Sequence, residues 1–303
     1  MRVLFITGYM YEKGLFEEYN GGINLYVSWL AKKIAKTEDV EVYALTYGIN
    51  KEQECEKVKY LRHSYMDVIT SVFHPNILKD NHNQFGYGVS IKALYHKADY
   101  KYFDRVINEL HPDVVHIHGM ISGLMQHIES CKKSGASVLV TLHGLLGTNS
   151  DCKVEELKRL ENWMFGYADK NRMPLTVIST GIKQKAISFY NLSDASNISV
   201  IYNGVDIDNS SLSVNVKNDK QIVVCIGRIY RLKNQVLVFK AMERIFEKYP
   251  DRYKLIFIGE ETDEGQLREI INESNYKKNV EITCFISHER VMNIQYARDS
   301  IVL

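Results

Sequence analysis

The sequence predicts an α/β protein built from two successive doubly wound, parallel-sheet domains. Short apolar runs alternate with longer stretches of helical period, which is the pattern of a parallel sheet covered by helices on both faces. The alternation is interrupted once, by the polar stretch DIDNSSLSVNVKNDK at residues 206–220, and then begins afresh. A length of 303 residues is about twice that of one ordinary domain.

Each element follows from its own residues. Val3 to Thr7 reads as a buried strand. Ile23, Val27, Leu30, Ala31 and Ile34 then recur at helical spacing while Lys32, Lys33 and Lys36 face outward, which predicts an amphipathic helix. Val40 to Thr46 is the next strand. Three strand and helix pairs follow: Asp113 to His118 with Ser122 to Lys133, Ser137 to Leu142 with Val154 to Phe165, and Leu175 to Ser179 with Ile182 to Tyr190. Gly135 suits a helix C-cap. The polar stretch has no helical period and reads as a linker, set at residues 208–216 between domains at 1–207 and 217–303. In the second domain Gln221 to Gly227, Tyr253 to Gly259 and Val280 to Phe285 are strands, and Asn234 to Lys248, Glu264 to Ser274 and Glu289 to Ala297 are helices. Ser300 to Leu303 begins one more strand. A domain ending inside a strand would leave its sheet one-sided with an open edge, so the 303 residues are expected to be a fragment.

Composition excludes several classes. Lys and Arg total 38 against 37 for Asp and Glu, and a net charge of +1 argues against a dedicated nucleic-acid binder. With 45% hydrophobic residues and 4 Pro, the chain is neither disordered nor fibrous. The opening MRVLFITG is too short an apolar run for a signal peptide, and no later run approaches the ~20 residues of a membrane span. A cytoplasmic location is the resulting expectation. Cys55, Cys131, Cys152, Cys225 and Cys284 form no C-x-x-C pair and read as reduced, mostly buried thiols.

In open parallel sheets ligands bind beyond the carboxyl ends of the strands, which singles out four places. At Asn20-Gly21-Gly22, two glycines at the mouth of the first helix let a ligand approach the backbone, where free N–H groups favour an anion or a hydroxyl-rich group. Gly8, Gly14 and Gly21 are too widely spaced for G-x-G-x-x-G, and a plain turn competes with a site there. His116 and His118 fall on one side of their strand, with His118 nearer its carboxyl end; no third ligand stands at metal spacing. A buried, hydrogen-bonded His116 and a cleft-facing His118 are expected, with His143-Gly144 adding a second histidine at the same edge. The loop Gly227 to Asn234 carries Arg228, Arg231 and Lys233 ahead of an Asn that suits an N-cap, and Arg228 and Lys233 could both reach a phosphate at the helix start. A solvated basic loop is the alternative. Asp206-Ile207-Asp208 matches D-x-D formally, but its polar, strandless setting favours a turn.

Taken in order, these segments resemble one family over the whole chain: Gly-Gly before the first helix, PDVVHIHG at 112–119, VLVTLHG at 138–144, VISTGIK leading to VIYNGVD at 200–206, and IGRIYRLKN at 226–234. The chain looks like a retaining glycosyltransferase of the GT-B fold, family 4 type. The resemblance implies two Rossmann-like domains facing a cleft, a UDP- or GDP-linked sugar as donor substrate, no metal or other cofactor, and a glycan, lipid or small-molecule hydroxyl as acceptor. It implies that Arg228 and Lys233 bind the donor diphosphate and replace a metal, and that His118 is catalytic, reaching the donor sugar. Gly22 and the backbone around Phe285 and Ile286 would also meet the donor, and Gly21 and His143 would stand on the acceptor and phosphate side. Glu260-Glu261 stands where the family often has Gly-x-Gly after its strand, and Cys284 where Gly is common. The family's pair of glutamates, which should follow the strand that begins at Ile301, is absent from the 303 residues. A GT-B epimerase is the rival within enzymes, and a non-catalytic nucleotide-sugar-binding fragment or partner subunit is the rival outside catalysis. Many relatives dock on lipid, which makes the inner membrane face an alternative location. Tyr87 to Arg105, however, reads as a core-packed helix before it reads as a membrane-facing one.

Overall fold

Most apolar runs become strands within a residue or two of their expected bounds. The computed structural model describes residues 1–7, 22–46, 49, 51–62, 91–121, 124–149, 155–204, 220–262, 266–284 and 300–302. Backbone contacts divide the chain into a unit of Met1–Gly204 and a unit of Val205–Leu303. The expected linker at 208–216 and the helix at 289–297 lie outside the described residues.

In the first unit the elements run β1 (Arg2–Ile6), α1 (Gly22–Ala35), β2 (Glu41–Thr46), β3 (Gln53–Cys55), β4 (Val58–Arg62), α2 (Ile91–Leu110), β5 (Val114–His118), α3 (Leu124–Ser134), β6 (Ser137–Leu142), α4 (Glu155–Asn171), β7 (Leu175–Val177), α5 (Thr180–Tyr190) and β8 (Ile198–Val200). They form one 8-stranded sheet in the order β3-β4-β2-β1-β5-β6-β7-β8. All neighbours are parallel except β3 and β4, which pair antiparallel, so the sheet is mixed at one edge rather than purely parallel. The β3–β4 hairpin escaped the sequence reading for a physical reason. Its two turn residues are Glu56 and Lys57, both at positive φ (45° and 66°), where Asn-Gly would have signalled the turn.

The two faces of this sheet differ. Leu4, Ile6, Val115, Ile117, Val140 and Leu142 point to one side, into a core with Phe103, Ile107, Ile128, Met164 and Phe165 from the helices. Val3, Phe5, Val42, Ala44 and Val58 point to the other, against Val27 and Ala31 of α1. Period-2 alternation therefore sends His116, His118, Thr141 and Thr176 to the α1 side. Met164, Phe165 and Ala168 continue the buried stripe of α4, which is why that helix runs on past the expected stop at Phe165. Gly135 follows α3 at φ +81°, and its amide bonds to the Lys132 carbonyl as a left-handed C-cap should. In α2, Tyr102, Phe103 and Ile107 enter the core.

The second unit contains β9 (Gln221–Ile226), a 3-10 turn (Arg231–Lys233), α6 (Gln235–Lys248), β10 (Tyr253–Ile258), α7 (Gln266–Glu273), β11 (Val280–Thr283) and β12 (Ser300–Val302). Its four strands are ordered β11-β10-β9-β12, all parallel. Phe239, Met242 and Phe246 of α6 and Leu267 and Ile271 of α7 cover one face, meeting Val223, Cys225, Leu255 and Phe257. Among the described cysteines Cys131 and Cys225 are buried, Cys55 is half-buried and Cys284 is exposed, so burial is less general than expected.

Candidate functional site

Strand order decides where each unit can bind. In the large sheet the order reverses between β1 and β5, and in the small sheet beside β9, and such reversals open a crevice at the carboxyl ends of the strands. His118 ends β5, and Gly227-Arg228 leaves β9. Both of the more specific sequence signals thus fall on switch-point strands.

Three imidazoles gather on the first unit. The rings of His116 and His118 lie 4.1 Å apart, as neighbours at i and i+2 on one strand face. His118 Nδ1 stands 3.1 Å from His143 Nε2. His116 Nε2 meets Thr141 Oγ1 at 2.7 Å, and Thr141 in turn bonds the Thr176 hydroxyl, so a buried polar chain crosses β5, β6 and β7. The Phe5 and His118 rings lie near-parallel with centres 5.8 Å apart, and the Tyr26 ring of α1 meets those of His143 and His118 at steep angles, with centres 5.5 Å and 6.4 Å away.

His118, expected to face the cleft, is 2% exposed, against 9% for His116, which was expected to be buried. Tyr26 of α1 packs against the His118 ring, and Phe5 of the neighbouring strand flanks both histidines. Burial, with a smaller contribution from His143, pushes the His116 pKa down to about 4. Burial, then the neighbouring His116 and His143, pushes that of His118 down to about 2, and burial lowers that of His143. His118 Nε2 is buried without a hydrogen-bond partner.

The remaining first-unit candidates separate. Gly22 is the first residue of α1, and a Cβ there would meet nothing within 4 Å, so packing does not demand glycine. Gly21 lies outside the described residues, as do Ile286, Phe285, Asp206 and Asp208.

On the second unit, Gly227 and Gly259 make the turns after β9 and β10. Gly259 sits at φ +153°, and a Cβ there would run into the Gly227 carbonyl. The loop between β9 and α6 is pinned from behind. Ile229 is buried, its amide bonds to the Glu260 carbonyl at 2.7 Å, and Gln235 Nε2 donates to the Arg228 carbonyl at 2.9 Å. Arg228 and Lys233 are exposed on this fixed loop. The Arg228 guanidinium lies 5.8 Å from the Tyr230 ring centre. Asn234 occupies the N-cap position of α6 but at φ 55°, and its side chain makes no cap bond because the same residue closes the preceding 3-10 turn. Glu261 accepts the Leu267 amide at 3.1 Å and pairs with Arg268 at 2.9 Å, which makes it the anchor of α7.

Sequence reasoning missed Thr141, Thr176, Tyr26 and Glu161. The first three become neighbours of the histidines only through strand pairing and helix docking. Glu161 did carry a signal, being a charge on the apolar stripe Leu157, Leu160, Met164, Phe165 and Ala168 of its helix. Among the described residues no group of three or more His, Cys, Asp or Glu could hold a metal ion, and no helix is long and apolar enough to cross a membrane.

Known proteins resemble this chain in both halves. Residues 20–209 match the family model described as Glycosyltransferase Family 4, and residues 206–303 match that of Glycosyl transferases group 1. An uncharacterized glycosyltransferase of Methanocaldococcus jannaschii is 28% identical over 127 residues, which covers 39% of this chain and 30% of that relative. The match thus spans about a third of the relative's length. Among solved structures, S. aureus TarM superposes with a TM-score of 0.67 at 12% identity, over 99% of this chain and 79% of that one. The lipopolysaccharide outer core galactosyltransferase WaaB gives 0.58 at 18%, over 99% and 72%. The catalytic domain of starch synthase IV from Arabidopsis thaliana gives 0.59 at 12%, over 98% and 76%. At such identities the likeness is one of fold.

Proposed function

The chain belongs to glycosyltransferase family 4 and has the α/β fold of GT-B enzymes, and on that premise we propose that it moves a hexose or hexosamine from a UDP- or GDP-sugar to a hydroxyl of a glycan, lipid or small molecule, with retention of configuration. One observation above all supports this reading. Arg228 and Lys233 are exposed on a loop whose backbone is pinned by Glu260 and Gln235, at the carboxyl end of the switch-point strand β9. Two cations held in this way suit a diphosphate, because they stabilise developing charge without having to reorganise when the sugar leaves.

In this reading Arg228 and Lys233 take the place of a metal at the leaving diphosphate. His118 serves the sugar end through its unpartnered Nε2. Being neutral, that atom can accept or donate a hydrogen bond according to the ring's tautomer. Gly22 is assigned to donor binding and His143 to the acceptor and phosphate side. The enzyme works in the cytoplasm or at the inner membrane face.

The test begins with ligand-induced thermal shift using UDP, GDP, uridine and guanosine. A diphosphate at 100 times its dissociation constant should stabilise by ~2.7 kcal/mol, whereas the nucleosides should do much less. Incubation with a UDP- or GDP-sugar and a panel of hydroxyl acceptors should then release the nucleoside diphosphate. No stabilisation by either diphosphate counts against the reading, and an epimerised sugar still joined to its nucleotide would point to the epimerase instead.

A further inference from the structure

The apolar stripe of α4 carries one carboxylate, and Glu161 is fully buried. Its Oε1 accepts the Leu146 amide at 2.9 Å, while its Oε2 accepts the Gly147 amide at 2.8 Å and the Tyr190 hydroxyl. All three donors are neutral. Burying a carboxylate is costly even with hydrogen bonds, and an apolar residue of similar size would pack in the same core, so stability alone does not explain the residue. What the carboxylate does specify is the place of two consecutive backbone amides.

Those amides belong to the loop that His143 begins. Leu145 is buried, the Thr148 hydroxyl bonds the Leu145 carbonyl at 3.3 Å, and the Asn149 amide bonds the Leu146 carbonyl at 3.0 Å, so the loop is a tight unit. It is also pressed against α5. A Cβ on Gly147 would run into the Tyr190 hydroxyl and come within 2.8 Å of the Phe189 ring. Tyr190 is itself held by stacking on Phe165 at 4.4 Å. A continuous set of contacts therefore joins α5 and α4, through Tyr190 and Glu161, to the loop and to the His143–His118 bond.

We propose that Glu161 is a positioning residue, which fixes the 143–147 loop through the Leu146 and Gly147 amides so that His143 holds His118 in place at the end of β5. The proposal rests on the reading of His118 as the residue at the reacting sugar. Glu161 touches no substrate itself and acts through the loop.

The experiment uses the full chain, labelled with 15N, as parent, Glu161→Gln and Tyr190→Phe. Gln keeps the shape but opposes an NH2 group to donors, so one amide loses its acceptor. Well below the melting temperature, the imidazole 15N resonances of His143 and His118 should move together in Glu161→Gln while that of His116 holds. Exchange of whichever of the Leu146 and Gly147 amides faces the new NH2 group should quicken roughly 10- to 150-fold, the equivalent of losing a hydrogen bond to a charged group. Tyr190→Phe should move the same resonances less. A lowered melting temperature with His143 and His118 resonances unchanged would show a purely structural residue and overturn the proposal. Should Glu161→Gln not fold, unchanged His143 resonances and loop exchange in Tyr190→Phe overturn it equally. Binding of UDP or GDP by the parent is a separate measurement: its absence removes the transferase reading but leaves the imidazole result standing.

Discussion

His118 Nδ1 lies 3.1 Å from His143 Nε2, across the carboxyl ends of the adjacent strands β5 and β6. One ring must donate and the other accept, so the tautomers of the two are linked. If His118 donates from Nδ1, its buried Nε2 is a bare acceptor; if His143 donates, His118 Nε2 carries the proton. The second histidine thereby sets whether the buried Nε2 of the first is an acceptor or a donor.

The buried histidines should make stability fall with acid. The pKa of His116 is held down at about 4 and that of His118 at about 2, against 6.5 when unfolded, so below pH 6.5 the unfolded chain binds protons that the folded one does not. Stability from each is complete above pH 6.5 and is lost as pH falls toward the folded value. Between about pH 7.5 and 5.5 each should cost about 1.4 kcal/mol. Urea unfolding of the parent and of His118→Asn should show the stability gap between them shifting by about that amount over this range. A gap independent of pH would contradict the burial assigned to His118.

Arg228→Ala and Lys233→Ala should each weaken UDP or GDP binding by about 1.5–3 kcal/mol, as for a hydrogen bond between charged groups. Both side chains are exposed, so melting temperatures should hardly change. Titration calorimetry decides the matter. Unchanged affinity in both variants would remove the diphosphate assignment.

Gly259→Ala should unfold the second unit at lower denaturant. The φ of +153° costs a side chain about 1–3 kcal/mol, and the Gly227 carbonyl blocks the new Cβ besides. Hydrogen exchange should localise the loss to β9 and β10. Parent-like exchange there would show that the two turns do not approach as described.

Diphosphate binding should survive EDTA, because the reading assigns the phosphate charge to Arg228 and Lys233. Thermal shift with UDP or GDP, with and without chelator, is sufficient. Binding lost in EDTA and restored by one divalent ion would count against the proposed metal-free mechanism.

The histidine pair shows how much of the site was legible. Period-2 alternation was enough to put His116 and His118 on one side of a strand, because side-chain direction in a strand depends on nothing beyond the strand. Alternation could not rank their burial, since the residues packed against His118, Tyr26 among them, arrive from other elements. The Arg228 loop was legible as a strand-to-helix turn with three cations. That Asn234 would close a 3-10 turn instead of capping α6 with its side chain depended on backbone angles its neighbours impose.

The sequence by itself determined the alternation of strands and helices and the order of the glycine, histidine and cation motifs, because periodicity and punctuation are local properties of the chain. Tertiary structure decided which strands are neighbours. Only the order β2-β1-β5-β6 sets His118 beside His143, and only the β11-β10-β9-β12 order puts the Arg228 loop at a switch point. The same long-range packing made Glu161, a charge on the apolar stripe of its helix, a buried acceptor for two loop amides. Those partners are 14 and 15 residues away along the chain, and no local pattern encodes which amides a helix will meet once it docks.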